Sequence, residues 1–160
     1  MIAIRDLADC IESVEQIAEW QWSEWGPFAD DGTLDGLRKR LRSWTNMRGV
    51  PNIFVAFDGE AGLGSVALVA HDMVEPERRF ATLNPWLSGL LVNPDMRRRG
   101  VGAALVAACE RRAALLGFAE LYLYTSTAEA FYERLGWQTI AEAAYEGASV
   151  AVMRRRLDPT

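Results

Sequence analysis

The chain has 160 residues, of which half are hydrophobic and 24% are charged, and its formal net charge is -5. This length suits one domain with one core. No run approaches the roughly 20 continuous apolar residues of a membrane-spanning helix, and the opening MIAIRDLADCIE lacks the pattern of a signal peptide. The negative charge argues against general nucleic-acid binding, because such domains are usually basic. We therefore expect a single domain over residues 1–160, with no nucleic-acid or membrane partner.

The first half of the chain predicts a strand, two helices and a hairpin. A short strand is expected at MIAIRDL, and Asp9 is a candidate cap for the first helix. The apolar residues of that helix recur every three or four positions, at Ile11, Val14, Ala18, Trp22 and Trp25. GPFADDGT ends it, and a second helix carries Leu34, Leu37, Leu41 and Trp44 on one stripe. A hairpin is predicted for NIFVAF and GSVALVA, which flank an Asp58-Gly59 turn.

The second half alternates strands and helices. After an irregular segment from His71 to Asn84, a buried strand is expected at PWLSGLLV, with a possible bulge at Ser88-Gly89. A helix with Val101, Leu105, Ala108 and Leu115 at helical spacing follows and ends at Gly117. Next come a strand at LYLYT, a short helix at AEAFYERL and a hairpin around the Glu146-Gly147 turn. This order predicts one mixed α/β domain.

Two cysteines, Cys10 and Cys109, lie far apart in the chain and lack metal-ligand spacing. Free thiols in a reducing cytoplasm are the usual state of such residues. We therefore expect a cytoplasmic protein that holds no metal. As a separate expectation, the protein is a monomer or a homodimer.

The sequence NPDMRRRGVGAAL at positions 93–105 joins the buried strand to the helix. A helix N-terminus presents unpaired backbone N–H groups to an anion. Gly100 and Gly102 lack the Cβ atoms that would hold a phosphate away, and Arg97, Arg98 and Arg99 add charge and bidentate donors. The stretch therefore has the chemistry of a phosphate-binding turn.

Known phosphate turns fit this stretch unequally. A Walker A loop needs Lys-Ser/Thr after its last glycine, where Ala103 and Ala104 stand. The dinucleotide fingerprint needs a third glycine, but Leu105 stands at that position. It also needs its glycines directly after the strand, whereas several residues separate them from the strand here. A solvated surface turn would explain the arginines but not the glycine spacing. The pattern Q/R-x-x-G-x-G/A is filled by Arg97, Gly100 and Gly102.

With these residues the chain resembles the GNAT superfamily of acyl-coenzyme A-dependent N-acyltransferases. LLVNPDMRRRGVGAAL is similar to the family's central motif, and AEAFYERLGW is similar to its C-terminal signature. The resemblance implies a mixed sheet of about seven strands with a splayed central pair, about four helices, and acetyl-CoA as co-substrate without a metal. It implies that the pyrophosphate lies on the backbone of Arg98–Ala103 (Arg98, Arg99, Gly100, Val101, Gly102 and Ala103) with arginine counter-charges. It also implies that the pantetheine arm runs along Leu90, Leu91 and Val92.

The implied reaction is direct attack of a primary amine on the thioester through a tetrahedral intermediate, with no acyl-enzyme. The oxyanion donor would be a backbone N–H of residues 90–92. By resemblance Tyr132 is the acid that protonates the thiolate, and a phenol with a reference pKa of ~10 suits that role. No carboxylate occurs in PWLSGLLV or LYLYT, so the base is open between His71, Glu142 and water.

Two departures from the family pattern leave further questions open. Thr125 stands where many members have an asparagine seven residues before the tyrosine, and either Thr125 or Thr127 can cap the short helix instead of touching the cofactor. The acceptor is a small-molecule amine or a peptide N-terminus, and the aromatic stretch EWQWSEWGPF, Trp86 and Tyr145 are candidates to surround it. The missing asparagine and base also leave a non-catalytic acyl-CoA-binding sensor as an alternative.

Overall fold

The computed structural model describes residues 1–27, 31–45, 49–73 and 78–158, and within them the chain forms seven strands and four α-helices. The strands are β1 (Ala3–Asp6), β2 (Asn52–Asp58), β3 (Ala61–Val69), β4 (Trp86–Val92), β5 (Glu120–Thr125), β6 (Gln138–Tyr145) and β7 (Ala148–Arg156). The helices are α1 (Val14–Trp25), α2 (Leu34–Ser43), α3 (Val101–Leu115) and α4 (Glu129–Arg134). The strand order is β1-β2-β3-β4-β5-β7-β6, with β4 and β5 parallel. This confirms the expected mixed α/β fold.

The first helix begins later than the sequence predicts. Two 3₁₀ turns, Leu7–Asp9 and Ile11–Ser13, precede α1. The prediction that Asp9 caps the helix is wrong, because Asp9 lies inside the first of these turns. Cys10 between the turns is fully buried and its Sγ donates to the Asp6 carbonyl at 3.2 Å, which anchors the chain before α1 can start.

Residues 28–30 of the predicted break after α1 and residues 74–77 of the predicted irregular segment lie outside the described residues. Within those that are described, no helix is both long enough and apolar enough to cross a bilayer. Cys10 and Cys109 are both free and buried, which confirms the expectation of free thiols.

Contacts along the chain group it into two compact units. The first unit is Met1–Ala67 with Gly89–Cys109, and the second unit is Leu68–Ser88 with Glu110–Thr160. The chain passes from one unit to the other within β3, β4 and α3. A single domain over residues 1–160 stays a prediction.

The first unit is built around β2. All six residues from Asn52 to Phe57 are buried, and because successive side chains point to opposite faces, β2 is covered on both. β1 pairs with it antiparallel, from Ala3 opposite Phe57 to Asp6 opposite Phe54. The helices α1 and α2 bury apolar side chains at Val14, Ile17, Ala18, Leu37 and Leu41.

The second unit contains the closing hairpin and a core of aromatic residues. β6 and β7 pair antiparallel through a turn in which Glu146 and Gly147 have φ of 50° and 80°. Two left-handed residues in a two-residue loop match the twist of a hairpin, which explains the Glu-Gly sequence. One face of this unit buries a cluster of Met73, Phe80, Trp86, Tyr122, Ala143, Val150 and Val152.

Candidate active site

The arginine-rich turn between β4 and α3 lies in the first unit and has an ordered backbone. Asn93 begins it, because its Oδ1 accepts the N–H of Asp95 at 3.1 Å in the 3₁₀ turn Pro94–Met96. Arg97 is extended, Arg98 has a left-handed φ of 67° and Gly100 has a φ of 80°. The glycine at position 100 is a sequence signal for a left-handed backbone. No such signal marks Arg98, which is also left-handed.

The first turn of α3 presents backbone N–H groups. The N–H of Ala104 donates to the Gly100 carbonyl at 3.0 Å, so Val101–Ala103 precede the first N–H with an acceptor inside the helix. A Cβ built on Gly100 finds no atom within 4 Å, and the side chains of Arg97–Arg99 are exposed. A backbone concavity of this kind at a helix N-terminus suits an anion such as a pyrophosphate.

The end of β4 has an edge that faces away from β3. The N–H of Asn93 donates to the Leu63 carbonyl at 2.8 Å, and a Cβ on Gly64 would collide with the Leu91 carbonyl. The N–H and C=O groups of successive residues point to alternate edges of a strand, so those of Leu91 and Asn93 point toward β3. Those of Leu90 and Val92 therefore lie on the opposite edge.

Gly89 interrupts β4 where the sequence predicts a bulge. Its φ is 61°, which breaks the extended backbone inside the strand, and a Cβ built on it would lie 3.8 Å from the ring of Trp25. Parallel pairing of β4 with β5 is recorded at Trp86 and Tyr122. The splaying of the two strands beyond that pair stays a prediction.

Tyr132 lies on α4 in the second unit, and its side chain is 6% exposed. Its ring makes edge-to-face contacts with Phe131 and Trp137, at centroid distances of 5.0 and 5.9 Å. The hydroxyl of Thr125 accepts the N–H of Ala128 at 3.0 Å and so turns the chain into the helix. The N-cap of α4 is Ala128 and no side chain caps the helix, so the prediction that Thr125 or Thr127 caps it is wrong.

A family model for the acetyltransferase (GNAT) family matches residues 14–137. The chain belongs to the GNAT acetyltransferase family. The matched residues include β4, the arginine turn, α3, Tyr132 and Trp137, which are the parts on which the sequence resemblance depends.

Solved GNAT structures share this fold at low identity. An aminoglycoside 6'-N-acetyltransferase complexed with coenzyme A is 16% identical with a TM-score of 0.71, and the match covers 100% of this chain and 98% of that one. A spermidine/spermine N-acetyltransferase from Vibrio cholerae is 15% identical with a TM-score of 0.71, over 97% and 92%. A GNAT acetyltransferase from Streptococcus pneumoniae is 15% identical with a TM-score of 0.69, over 99% and 100%. No curated protein sequence matches the chain.

The two side-chain candidates for the base of this acetyltransferase, His71 and Glu142, belong to the second unit. His71 is exposed just after β3. Glu142 is exposed on β6 opposite Ala151 of β7, and it lines a cavity of about 460 Å³ together with Glu129 and Glu133 of α4. Among the described contacts, no hydrogen bond or ion pair holds the His71 imidazole or the Glu142 carboxylate in place.

A carboxylate that the sequence reasoning missed lies beside β4. Asp72 is half-buried, and its Oδ1 accepts a hydrogen bond from the Ser88 hydroxyl at 2.9 Å. It has no motif spacing, because it follows β3 in an irregular segment 16 residues before Ser88. Only the fold brings the two together.

The aromatic candidates for the acceptor side divide by burial. Trp86 is 1% exposed and its indole N–H donates to the Leu83 carbonyl at 2.8 Å, so it is a core residue. Tyr145 is half-buried, with its ring edge-on to Tyr124 at 5.1 Å. Trp25 is 37% exposed beside Gly89. Tyr145 and Trp25 therefore keep part of their surface exposed.

Proposed function

We propose that this acetyltransferase moves an acetyl group from acetyl-CoA to a primary amine by direct attack, without an acyl-enzyme. The observation that carries the proposal is the turn before α3. Left-handed residues at Arg98 and Gly100 bring exposed arginine side chains and helix N-terminal N–H groups together. Such a site is built for a phosphorylated ligand rather than for a neutral one.

The pyrophosphate of coenzyme A fits this turn. The N–H groups from Arg98 to Ala103 are its donors, and Arg97, Arg98 and Arg99 supply counter-charge. The open space at the Gly100 Cβ position leaves room for a phosphate to reach the backbone. The residues present therefore suit acetyl-CoA, which supplies the thioester when it is bound.

Residues 90–92 of β4 extend the same site along the strand. Leu91 serves β3 through its backbone, so we assign the pantetheine amides to the free edge formed by Leu90 and Val92. A backbone N–H on that edge is also suited to stabilise the thioester oxyanion, because a fixed dipole costs no reorganisation during the reaction. Leu91 then contributes packing, with a side chain that is 8% exposed.

Tyr132 is our candidate for the acid that protonates the leaving thiolate. The amine nitrogen forms a bond to the acetyl carbon, the carbon–sulfur bond breaks, and the sulfur takes a proton from the phenol. The nitrogen releases one proton to solvent, and the phenolate takes one back from solvent. Edge-to-face contacts with Phe131 and Trp137 fix the ring, as an acid that must meet one sulfur atom requires.

We place the acceptor among small-molecule amines, with a peptide N-terminus as the other class. Two of the similar solved structures act on aminoglycosides and on spermidine or spermine, which are cations. This chain carries a net charge of -5, which favours the approach of a cation. We place the protein in the cytoplasm, where its two free thiols would stay reduced.

Thermal unfolding with and without acetyl-CoA tests the donor half of the proposal. The wild-type protein should be stabilised by saturating acetyl-CoA. Arg98→Ala should weaken coenzyme A binding by ~10-fold or more, since a hydrogen bond to a charged group contributes ~1.5–3 kcal/mol. Arg42→Ala, at an exposed site on α2, is the matched control and should bind normally. A wild-type protein that acetyl-CoA does not stabilise would contradict the proposal.

The acceptor half requires turnover. Spermidine, an aminoglycoside and a peptide with a free N-terminus form a suitable first panel, with release of free thiol as the readout. Stabilisation by acetyl-CoA without acetylation of a broad amine panel would identify the protein as an acyl-CoA sensor instead.

A further inference from the structure

Trp25 is the last residue of α1, and its ring lies against β4. Its Cη2 and Cζ3 atoms are 3.8 and 3.9 Å from the position that a Cβ on Gly89 would occupy, which is ordinary van der Waals contact. Gly26 ends the helix directly after it, with a φ of 66° and an N–H that donates to the Trp22 carbonyl at 2.8 Å. The end of α1 therefore places this ring beside one residue of β4, although Trp25 stays 37% exposed.

Gly89 adds no side chain of its own at this point of the strand. Its φ of 61° is a backbone conformation that glycine adopts easily and that strains a residue with a Cβ. The indole of Trp25 therefore covers the side of Gly89 on which a side chain would otherwise project. A group that arrives here meets strand backbone and a large, rigid apolar ring.

The same glycine lies at the far end of the strand edge that we assign to the pantetheine arm. From the turn before α3 the arm runs back along β4, past Val92 and then Leu90, and Gly89 is the next residue. A pantetheine chain of about a dozen bonds reaches as far as about four residues of extended backbone. The turn, this edge and Trp25 all belong to the first compact unit. The acyl group at the end of the arm would therefore lie beside Gly89 and the indole.

We propose that Trp25 limits the length of the acyl group that this enzyme accepts. The inference rests on the proposed function, which places acetyl-CoA along β4. An acetyl group ends in one methyl carbon, whereas a longer acyl chain must force further methylenes against a ring that is already in contact with the strand. The acyl carbon is also where the amine attacks, so this role agrees with the expectation that the stretch containing Trp25 is near the acceptor.

Calorimetric titration with acetyl-CoA, butyryl-CoA and hexanoyl-CoA tests the proposal without turnover. The wild-type protein should bind hexanoyl-CoA at least ~10-fold more weakly than acetyl-CoA, in line with the cost of overpacking a closed space. Trp25→Ala should bind hexanoyl-CoA about as tightly as acetyl-CoA, because the space of the ring becomes available to the chain. Its affinity for acetyl-CoA should change little. Trp25→Phe keeps a smaller ring and should give an intermediate preference, and it serves as a second variant if the alanine variant does not fold.

Trp44→Ala is the matched control. Trp44 is a half-buried tryptophan at the end of α2 in the same unit, and its ring lies 5.8 Å from the Arg40 guanidinium of its own helix. This variant loses the same side chain at a helix end and should keep the wild-type preference for acetyl-CoA.

The outcomes separate this inference from the proposed function. Equal affinity of the wild-type protein for acetyl-CoA and hexanoyl-CoA, or a preference for acetyl-CoA that both Trp25 variants keep, would overturn the inference and leave the acetyltransferase proposal intact. A higher KM for the amine with an unchanged acyl preference would also overturn it, and would assign Trp25 to the acceptor instead. A wild-type protein that binds none of the three acyl-CoA molecules would contradict the proposed function, and this inference with it.

Discussion

The donor and acceptor sides of this acetyltransferase differ in how the chain encodes them. The proposed donor site, residues 93–103, is one continuous stretch that presents backbone N–H groups and left-handed residues. The acceptor candidates are side chains from separate elements, with Trp25 at the end of α1 and Tyr145 on β6. A backbone site leaves a local signature in its glycines, whereas a side-chain site is assembled by the fold.

Side-chain chemistry in the second unit should give the largest effect. We expect Tyr132→Phe to lower kcat by ~100-fold or more, because the thiolate loses its acid. The shift with acetyl-CoA should stay, since the ring and its aromatic packing are kept. Steady-state kinetics with thermal unfolding measures both.

Tyr122→Phe is the matched control for that substitution. It removes a hydroxyl that donates to Glu120 and keeps the ring, which lies in the aromatic core. Its turnover should stay near the wild type. Unchanged turnover in Tyr132→Phe would retire that residue as the acid.

Backbone packing in the first unit should give the next largest effect. We expect Gly64→Ala to lower the free energy of unfolding by ~1–3 kcal/mol, as overpacking does. The new Cβ would meet the Leu91 carbonyl and lie 3.1 Å from the Val92 Cα, which are backbone atoms that cannot rotate away. Denaturant unfolding measures the loss.

The neighbouring glycine provides the contrast. A Cβ at Gly62 meets the far end of the Gln16 side chain, which can move aside, and lies 3.1 Å from the edge of the Trp20 ring; both contacts are with side chains and not with backbone. Gly62→Ala should therefore cost less than Gly64→Ala. Equal losses in the two variants would contradict the close backbone contact between β3 and β4. The assignment of Leu90 and Val92 to the opposite edge of β4 would then lose part of its support.

The turn before α3 can be tested with a pair of left-handed glycines. Gly100 and Gly59 have φ of 80° and 61°, and neither has an atom within 4 Å of a built Cβ. Replacing either by Ala should cost a similar backbone strain of ~1 kcal/mol. Only Gly100→Ala should also weaken coenzyme A binding, about 10-fold, because its Cβ would occupy the approach of the pyrophosphate. Calorimetric titration with coenzyme A measures this, and equal binding by both variants would contradict the pyrophosphate assignment.

Much of the fold could be predicted because its signals are local. Among the described residues, the glycines that end helices or form hairpin turns are Gly26, Gly59, Gly117, Gly136 and Gly147, and each has a positive φ. The start of α1 could not be predicted, because it depends on the burial of Cys10. The carboxylate at Asp72 could not be predicted either, since its partner Ser88 is brought close only by the path of the chain after β3.

The smallest effect concerns a carboxylate in the second unit with a structural role. Glu110 accepts the indole N–H of Trp137 at 3.0 Å and pairs with Arg155 Nε at 3.5 Å. Burial raises its pKa above the usual value, although Arg155 and the Trp137 hydrogen bond act in the opposite direction. The folded state therefore binds the Glu110 proton more tightly than the unfolded chain does. The free energy of unfolding consequently falls as the pH rises from the pKa of Glu110 in the unfolded chain through its pKa in the folded state.

Glu110→Gln should remove that slope, because an amide does not titrate while its oxygen can still accept from Trp137. The stability of the variant relative to the wild type should rise as pH increases above about 4.3, where an unperturbed Glu titrates. Unfolding curves at each pH measure the difference, with Glu60→Gln in the exposed β2–β3 turn as the control. A relative stability that falls with pH would mean that the ion pair with Arg155 outweighs burial. Glu110 would then stabilise the fold through its charge rather than through its proton.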